Sequence, residues 1–333
     1  MQRFSDCTCT CTCSSDGRRR LLKMVAPAFA ASLSGAGPLA WAADGSPAET
    51  GKGSLAATPP LTRPLPDGTV LPVIGMGSWI TFNVGNDEQA IAERTRVLRS
   101  FFDHGGGMID SSPMYGSSEA VIGRCLTALE HPGGLFAASK IWTSSPSEGR
   151  EQWQDSRRLW GLDTFGLMQV HNLVAWREQL AWLADEKAAG RVRLLGVTTS
   201  HGRRHDLLAK IIGEAPIDAV QLSYSVVNRA VEERLLPMAA QRGIAVIVNR
   251  PFVRGELPRR LRGAPLPGWA AEIDCQTWAQ ALLKWIVSNP LVSCAIPATS
   301  RADHMAQNMS AARGPMPDAA LRARIAADVA RLI

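Results

Sequence analysis

Asp110, Tyr115, Lys140 and His171 are the side chains of this sequence whose kinds and positions point to chemistry. Asp110 closes the short apolar run Met108–Asp110, Lys140 closes Leu135–Lys140 and His171 closes Phe165–His171. A buried strand is apolar along its buried length, so a charged group that appears only where the strand ends points into the loops gathered there. One such residue would be an ordinary helix cap; three on three successive runs imply a shared pocket. Tyr115 lies on the segment leaving the Asp110 run and is one of only 2 tyrosines in the chain. A phenol has a reference pKa of about 10, so it donates a proton readily at neutral pH only when its anion is stabilised. A neighbouring ammonium does that by charge and an imidazole by hydrogen bonding. Asp110 would hold Lys140 charged and fix its direction. The chemistry expected of the set is general acid catalysis with Tyr115 as proton donor.

Eight short apolar runs position these groups: Val73–Gly77, Met108–Asp110, Leu135–Lys140, Phe165–His171, Arg193–Thr198, Ala219–Tyr224, Ile244–Asn249 and Val292–Pro297. Between them lie helical patterns over Glu88–His104, Ser118–Leu129, Arg150–Leu159, Ala175–Ala189, His205–Ile212, Ala230–Arg242 and Thr277–Asn289, with Ala302–Ala312 after the eighth run. Apolar strands alternating with amphipathic helices predict a parallel sheet covered by helices. Eight units in about 270 residues match a closed (β/α)8 TIM barrel. An open doubly wound sheet competes, but Gly75-Met76-Gly77 leads into Ser78-Trp79, not into a third glycine and a helix. Pro66-Asp67-Gly68 before Thr69-Val70-Leu71 signals a hairpin, placed to close the barrel floor. Pro317–Ile333 reads as an extra C-terminal helix packed outside. Trp153, Trp160, Trp176, Trp182, Trp278 and Trp285 fall on helical patterns and are expected to pack.

Asp110-x4-Tyr115 after the second run, Lys140 closing the third and Met168-Gln169-Val170-His171 closing the fourth together resemble the catalytic tetrad of the aldo/keto reductases. The similarity runs from about Leu71 to Asn308. It implies an NADP(H)-dependent oxidoreductase interconverting small carbonyl compounds and alcohols, in which Tyr115 protonates the oxygen, Lys140 and Asp110 tune Tyr115, and His171 orients the carbonyl. It also implies a nucleotide site. Thr198 and Thr199, where the family often has Ser-Asn, would meet the carboxamide together with Gln221. Asn249 stands where many members stack an aromatic ring on the nicotinamide, and Arg250 or Arg254 would pair with the pyrophosphate. Ala298, Thr299, His304, Gln307 and Asn308 would cradle the adenosine phosphate and adenine, beside backbone N–H groups that suit an anion. Ala298 and His304 replace the Lys and Arg that often grip the 2′-phosphate. A neutral imidazole holds a phosphate less well than a guanidinium fork, so NAD(H) stays open beside NADP(H). Trp79, Phe82 and Trp142 are expected to form an apolar substrate wall, and His201 and His205 to begin a helix. A nucleotide-binding, redox-sensing subunit with little turnover is the alternative from another class. A metal-dependent hydrolase would need several His and carboxylate ligands converging, and the 6 histidines show no metal spacing.

The composition, 46% hydrophobic and 20% charged, is that of a globular chain. A net charge of +6 invites a nucleic-acid reading, which its location opposes. Arg3, Arg18, Arg19, Arg20 and Lys23, against Asp6 and Asp16, place half of the excess in residues 1–42. No basic run with interleaved aromatics follows. Arg18-Arg19-Arg20-Leu21-Leu22-Lys23, then a weakly apolar stretch ending Ala40-Trp41-Ala42, resembles a twin-arginine export signal. Pro27, Pro38 and several glycines make that stretch a poor membrane span, so no stable anchor is expected. The expectation is a leader over 1–42, cleaved on export to the periplasm by the twin-arginine machinery. If the leader does not function, the protein stays cytoplasmic. A disordered linker over 43–61 and the barrel over 62–333 follow. Cys7, Cys9, Cys11 and Cys13 would leave with the leader, and Cys125, Cys275 and Cys294 provide no disulfide framework.

Overall fold

The computed structural model describes residues 58–333, so the expected leader and most of the linker lie outside the described residues. A hairpin comes first, β1 (Thr62–Pro64) antiparallel to β2 (Val70–Pro72), turned by a bond from Leu65 N to Thr69 O of 2.7 Å. Eight parallel strands follow: β3 (Met76–Gly77), β4 (Met108–Asp110), β5 (Phe136–Ile141), β6 (Phe165–Val170), β7 (Val192–Thr198), β8 (Ala219–Ser223), β9 (Ala245–Asn249) and β10 (Cys294–Ala295). They pair in chain order. Parallel bridges Ile74–Ala295 and Gly77–Ala298 bring the last strand against the first. The (β/α)8 barrel expected from the alternation of runs is the fold.

The strands are mainly apolar because both of their faces are covered, one by the barrel interior and the other by helices, and their polar residues gather toward the C-terminal ends. Every residue of β5 and β6 is buried. Leu65 and Leu71 of the hairpin join Met108, Phe136, Leu167, Leu194 and Ile247 in the inner cluster. The hairpin thereby fills the N-terminal end of the barrel.

The outer layer comprises α1 (Glu88–Asp103), α2 (Ser118–Ala128), α3 (Pro146–Trp160), α4 (Trp176–Ala188), α5 (His205–Glu214), α6 (Leu235–Gln241), α7 (Glu256–Arg260), α8 (Trp269–Glu272), α9 (Trp278–Val287), α10 (Ala302–Ser310) and α11 (Ala319–Leu332). α1, α3, α9 and α11 are held by side-chain caps as well as by burial. Asp87 caps α1 by accepting from Ala90 N at 3.0 Å, and Ile91, Val97, Leu98 and Phe101 form its buried stripe. Thr277 and Gln280 make a capping box on α9. The six helical tryptophans expected to pack are buried. The extra helix α11 is fastened by Arg322, whose Nη2 donates to the Tyr224 hydroxyl at 2.8 Å and to Glu232 at 3.1 Å.

Two helices depart from their expected bounds for identifiable reasons. α3 starts four residues earlier than its apolar pattern, because Ser145 caps it by accepting from Glu148 N and Pro146 occupies the first position. α6 starts later, at Leu235, because Pro237 lacks the N–H that a helix begun at Ala230 would need. The Gly/Pro-crowded stretch from Pro251 to Gly268 contains the short α7 and leads into α8. Cys125, Cys275 and Cys294 are free and buried. Burial pushes their thiols up, to about 11 for Cys275 and about 12 for Cys294.

α2 leaves directly from the Tyr115 segment, and its Gly123 lies against the end of α3. A Cβ at this position would fall 1.8 Å from the Leu159 carbonyl oxygen, which is backbone and cannot swing aside. Gly123→Ala is expected to destabilise the fold by about 2–3 kcal/mol, read as a lower midpoint of urea unfolding. An unchanged midpoint would mean that α2 and α3 are not in this contact.

Candidate active site

Asp110 ends β4, Lys140 is the last residue but one of β5, and His171 directly follows β6; parallel pairing brings these strand ends together. Lys140 lies opposite Gln169 in the β5–β6 register. Strand alternation sends Lys140 inward and its neighbour Ser139 outward. Ser139 donates to Glu119 of α2 at 2.7 Å, and Glu119 also accepts from Ser156 and Trp160, which fixes the strand against two helices.

Inside, Lys140 Nζ donates to Asp110 Oδ2 at 2.5 Å and to the Ser111 carbonyl at 2.6 Å, with no exposed side-chain surface. The other Asp110 oxygen, Oδ1, accepts from Gln169 Nε2 at 3.0 Å and from Gln221 Nε2 at 2.9 Å. Gln221 Oε1 in turn accepts from Asn249 Nδ2 at 3.3 Å, and Asn249 also donates to the Thr199 carbonyl at 2.9 Å. A polar chain therefore crosses the top of the barrel from β5 to β9. Burial opposes the charge on Lys140, but Asp110 and then Tyr115 outweigh it and hold its pKa above the usual value.

Tyr115 sits in a short 3-10 turn, Pro113–Tyr115, capped by Ser112. Lys140 Nζ lies 5.0 Å from the centre of its ring, and the His171 ring meets it edge-on at 5.7 Å. Burial pushes the Tyr115 phenol up, against the pull of the Lys140 ammonium and with Asp110 adding to the rise. The sequence alone suggested a net lowering. The ammonium does act in that direction, but burial exceeds it, so the phenol is firmly protonated. His171 is buried, and burial followed by the Lys140 charge brings its pKa down to about 3. The imidazole is neutral, with Nδ1 at 2.9 Å from Ser112 Oγ.

A cavity of about 820 Å³ opens at this C-terminal face. Of the residues singled out from the sequence, Trp79, Asp110, Tyr115, His171, Thr198, Thr199, Gln221, Asn249, Arg250, Arg254 and Ala298 line it. Lys140 is buried behind Asp110. The expected apolar wall needs correcting. Phe82 has no exposed surface and belongs to the core, in a turn whose Phe82 N–H donates back to the Ser78 carbonyl at 3.1 Å. Trp142 is 44% exposed and does not line the cavity; its backbone exchanges hydrogen bonds with Gln152 of α3, away from the mouth. Ile80 and Met114 take the wall positions beside Trp79. Thr299, His304, Gln307 and Asn308 lie outside the cavity wall. Asn308 is buried, His304 is exposed on the first turn of α10, and Thr299 Oγ1 accepts from Arg301 N at 3.2 Å.

His201 lines the cavity, although the sequence suggested only a helix start. Arg203, Arg204 and Asn172 line it too; the sequence reads the Arg203-Arg204 pair as a solvated turn, since loop residues have no periodicity to betray a pocket. Gln169 stands in the sequence as part of the motif around His171, and a glutamine inside an apolar strand is itself a visible irregularity. Among the described residues, no group of three or more His, Cys, Asp or Glu side chains is arranged to hold a metal ion.

Barrel and site together define a (β/α)8 protein with a phenol, an ammonium–carboxylate pair and a neutral imidazole at one cavity. The aldo/keto reductase family model matches residues 73–323, and the chain belongs to the aldo/keto reductase family of oxidoreductases. An aldo-keto reductase of Bacillus subtilis is 26% identical over 206 residues, 56% of this chain and 60% of that one. The NADH-specific methylglyoxal reductase of Escherichia coli is 25% identical over 233 residues, 59% of this chain and 68% of that protein. Among solved structures, an aldo/keto reductase from Klebsiella pneumoniae in complex with NADP and acetate superposes with a TM-score of 0.66 at 22% identity, covering 81% of this chain and 94% of that one. The glycerol dehydrogenase of Gluconobacter oxydans gives 0.67 at 20%, covering 82% and 96%.

A histidine whose folded pKa lies below its unfolded value binds fewer protons when folded. Its contribution makes stability rise with pH between about 3 and 6.5, and that stability is lost as pH falls through this window. From pH 8 to pH 5, His171 is expected to cost about 2 kcal/mol. The unfolding free energy of the wild type, from urea titrations, should fall by that much more than that of His171→Gln; equal falls would mean that His171 titrates as an exposed imidazole.

Proposed function

We propose that the protein reduces aldehydes or ketones to alcohols, or runs the reverse reaction, with a nicotinamide nucleotide. Tyr115 is the general acid. The carrying observation is the meeting of Tyr115, His171 and the Lys140–Asp110 pair at the floor of one cavity.

The donors around the cavity fit such a nucleotide. Arg250 and Arg254 stand on the loop after β9 with no carboxylate partner among the described residues, which suits a pyrophosphate. Thr198, Thr199 and Gln221 offer the hydroxyl and amide groups that a carboxamide would meet. Ala298, at the cavity edge, and Thr299, His304, Gln307 and Asn308 beyond it would serve the adenosine end. The Klebsiella relative's complex with NADP supports NADP(H). The Escherichia coli relative's NADH specificity, with Ala298 and His304 here in place of stronger phosphate partners, keeps NAD(H) beside it.

A bound nicotinamide nucleotide supplies the hydride. The chain's own residues handle the oxygen. His171, neutral and with Nδ1 turned to Ser112, presents Nε2 to the carbonyl. Tyr115 gives its proton to the oxygen, and Lys140 offsets the negative charge left on the phenolate. Asp110 keeps Lys140 charged and aimed. In the alcohol-oxidising direction the same proton returns to Tyr115.

Tyr115→Phe is expected to lower kcat by about 10²–10⁴-fold while NADPH still quenches tryptophan fluorescence. Unchanged turnover would remove Tyr115 from the mechanism. NADPH binding without oxidation across a panel of aldehydes would favour a redox-sensing subunit.

We also infer export, resting on the twin arginines and the small-residue cleavage pattern of residues 1–42. Replacing Arg18 and Arg19 with lysine is expected to move the protein from the periplasmic to the cytoplasmic fraction of a host with twin-arginine machinery. Persistence in the periplasm would defeat the inference.

A further inference from the structure

The charge lining the cavity exceeds what a nucleotide's pyrophosphate alone would neutralise. Arg203, Arg204, Arg250 and Arg254 all line it, and among the described residues none of the four pairs with a carboxylate. The one carboxylate in the lining is Asp110, already matched by Lys140. Two guanidiniums, Arg250 and Arg254, stand together after β9, and Arg254 covers the Trp79 ring at 4.4 Å. The other two come from the loop after β7.

Arg204 is the one whose position is fixed relative to the reacting groups. Its Nη1 donates to the Asn172 carbonyl at 2.7 Å, one peptide beyond His171. Asn172 is itself held by its N–H, which donates to Thr198 Oγ1 at 3.2 Å. A guanidinium carries five N–H donors, and this anchor to the peptide that follows His171 uses one, leaving the others free at the cavity wall. Ile80 and Met114, 58% and 41% exposed, give the cavity apolar surface as well.

We propose that the preferred substrate is a carbonyl compound bearing an oxyanion, a carboxylate or a phosphate, on an apolar body, and that Arg204, assisted by Arg203, recognises that oxyanion. This rests on the carbonyl-reductase reading above. An oxyanion takes the fork in two parallel charge-assisted bonds, while the carbonyl end reaches His171 and Tyr115.

The test compares kcat/KM within two pairs of aldehydes that differ chiefly in charge: para-formylbenzoate with its methyl ester, and glyceraldehyde phosphate with glyceraldehyde. The wild type should prefer the anion of at least one pair by about tenfold or more, and the responding pair tells carboxylate from phosphate. Added salt should erode that preference, since the mouth is open to solvent. In Arg204→Gln the anion-to-neutral ratio should fall by about tenfold, with Arg204→Lys between the two. Equal kcat/KM within both pairs, or a preference that survives Arg204→Gln, overturns the proposal while leaving the reductase reading intact. Arg204→Gln that weakens NADPH binding without moving the ratio assigns the residue to the nucleotide and also overturns it. No turnover of any of the four aldehydes overturns the reductase reading and the substrate class together.

Discussion

A lysine ammonium with no exposed surface, enclosed by a barrel, must be met by a fixed counter-charge, and the top of this barrel is arranged around that requirement. Asp110 supplies the charge, but a buried carboxylate has two oxygens to satisfy. Lys140 takes one, while Gln169 and Gln221 take the other. Removing one partner of such a pair strands the other, at a cost of about 3–5 kcal/mol. The pair is consequently as much a structural element as a chemical one. It ties β4, β5, β6 and β8 together at the face where the cavity opens.

The same burial sets the neighbouring groups in complementary states. It drives the imidazole neutral and the phenol protonated, and the nearby ammonium reinforces the first effect while opposing the second. For the carbonyl reduction proposed above, a neutral imidazole beside a protonated phenol is the pairing that a carbonyl oxygen would require as it gains charge. No side chain needs an unusual intrinsic chemistry. Enclosure assigns the protonation states, and in the proposed reaction one ammonium would offset the charge left on the phenolate.

The barrel was readable because its strands are apolar on both faces and its helices on one, so period and length separate them. The ionisable cluster was readable for a related reason: Asp110, Lys140 and His171 break an apolar pattern where it ends. The hairpin announced itself through Asp67-Gly68. What escaped the sequence lies in the loops. Phe82 and Trp142 are large aromatic residues after barrel strands, as Trp79 is, but which of the three faces a cavity depends on backbone angles that residue type does not report. Most of the left-handed non-glycine residues, among them Ile80, Asn172, His201, Arg204 and Arg250, sit in these same loops, a conformation few would assign from sequence. Gln169 escaped differently, because its role as a brace for Asp110 depends on a neighbouring strand and on the room left by Gly196, where a Cβ would stand 3.3 Å from Gln169 Cγ.

The three described cysteines carry a consequence for the surroundings in which this molecule can work. Thiol–disulfide exchange and oxidation both begin from an accessible thiolate. Cys125, Cys275 and Cys294 offer neither the access nor the ionised sulfur. The folded barrel thus takes no part in thiol–disulfide exchange, needing no crosslink to stand and presenting no thiol to be trapped. It can be finished in a reducing compartment and used in an oxidising one without a change in covalent structure.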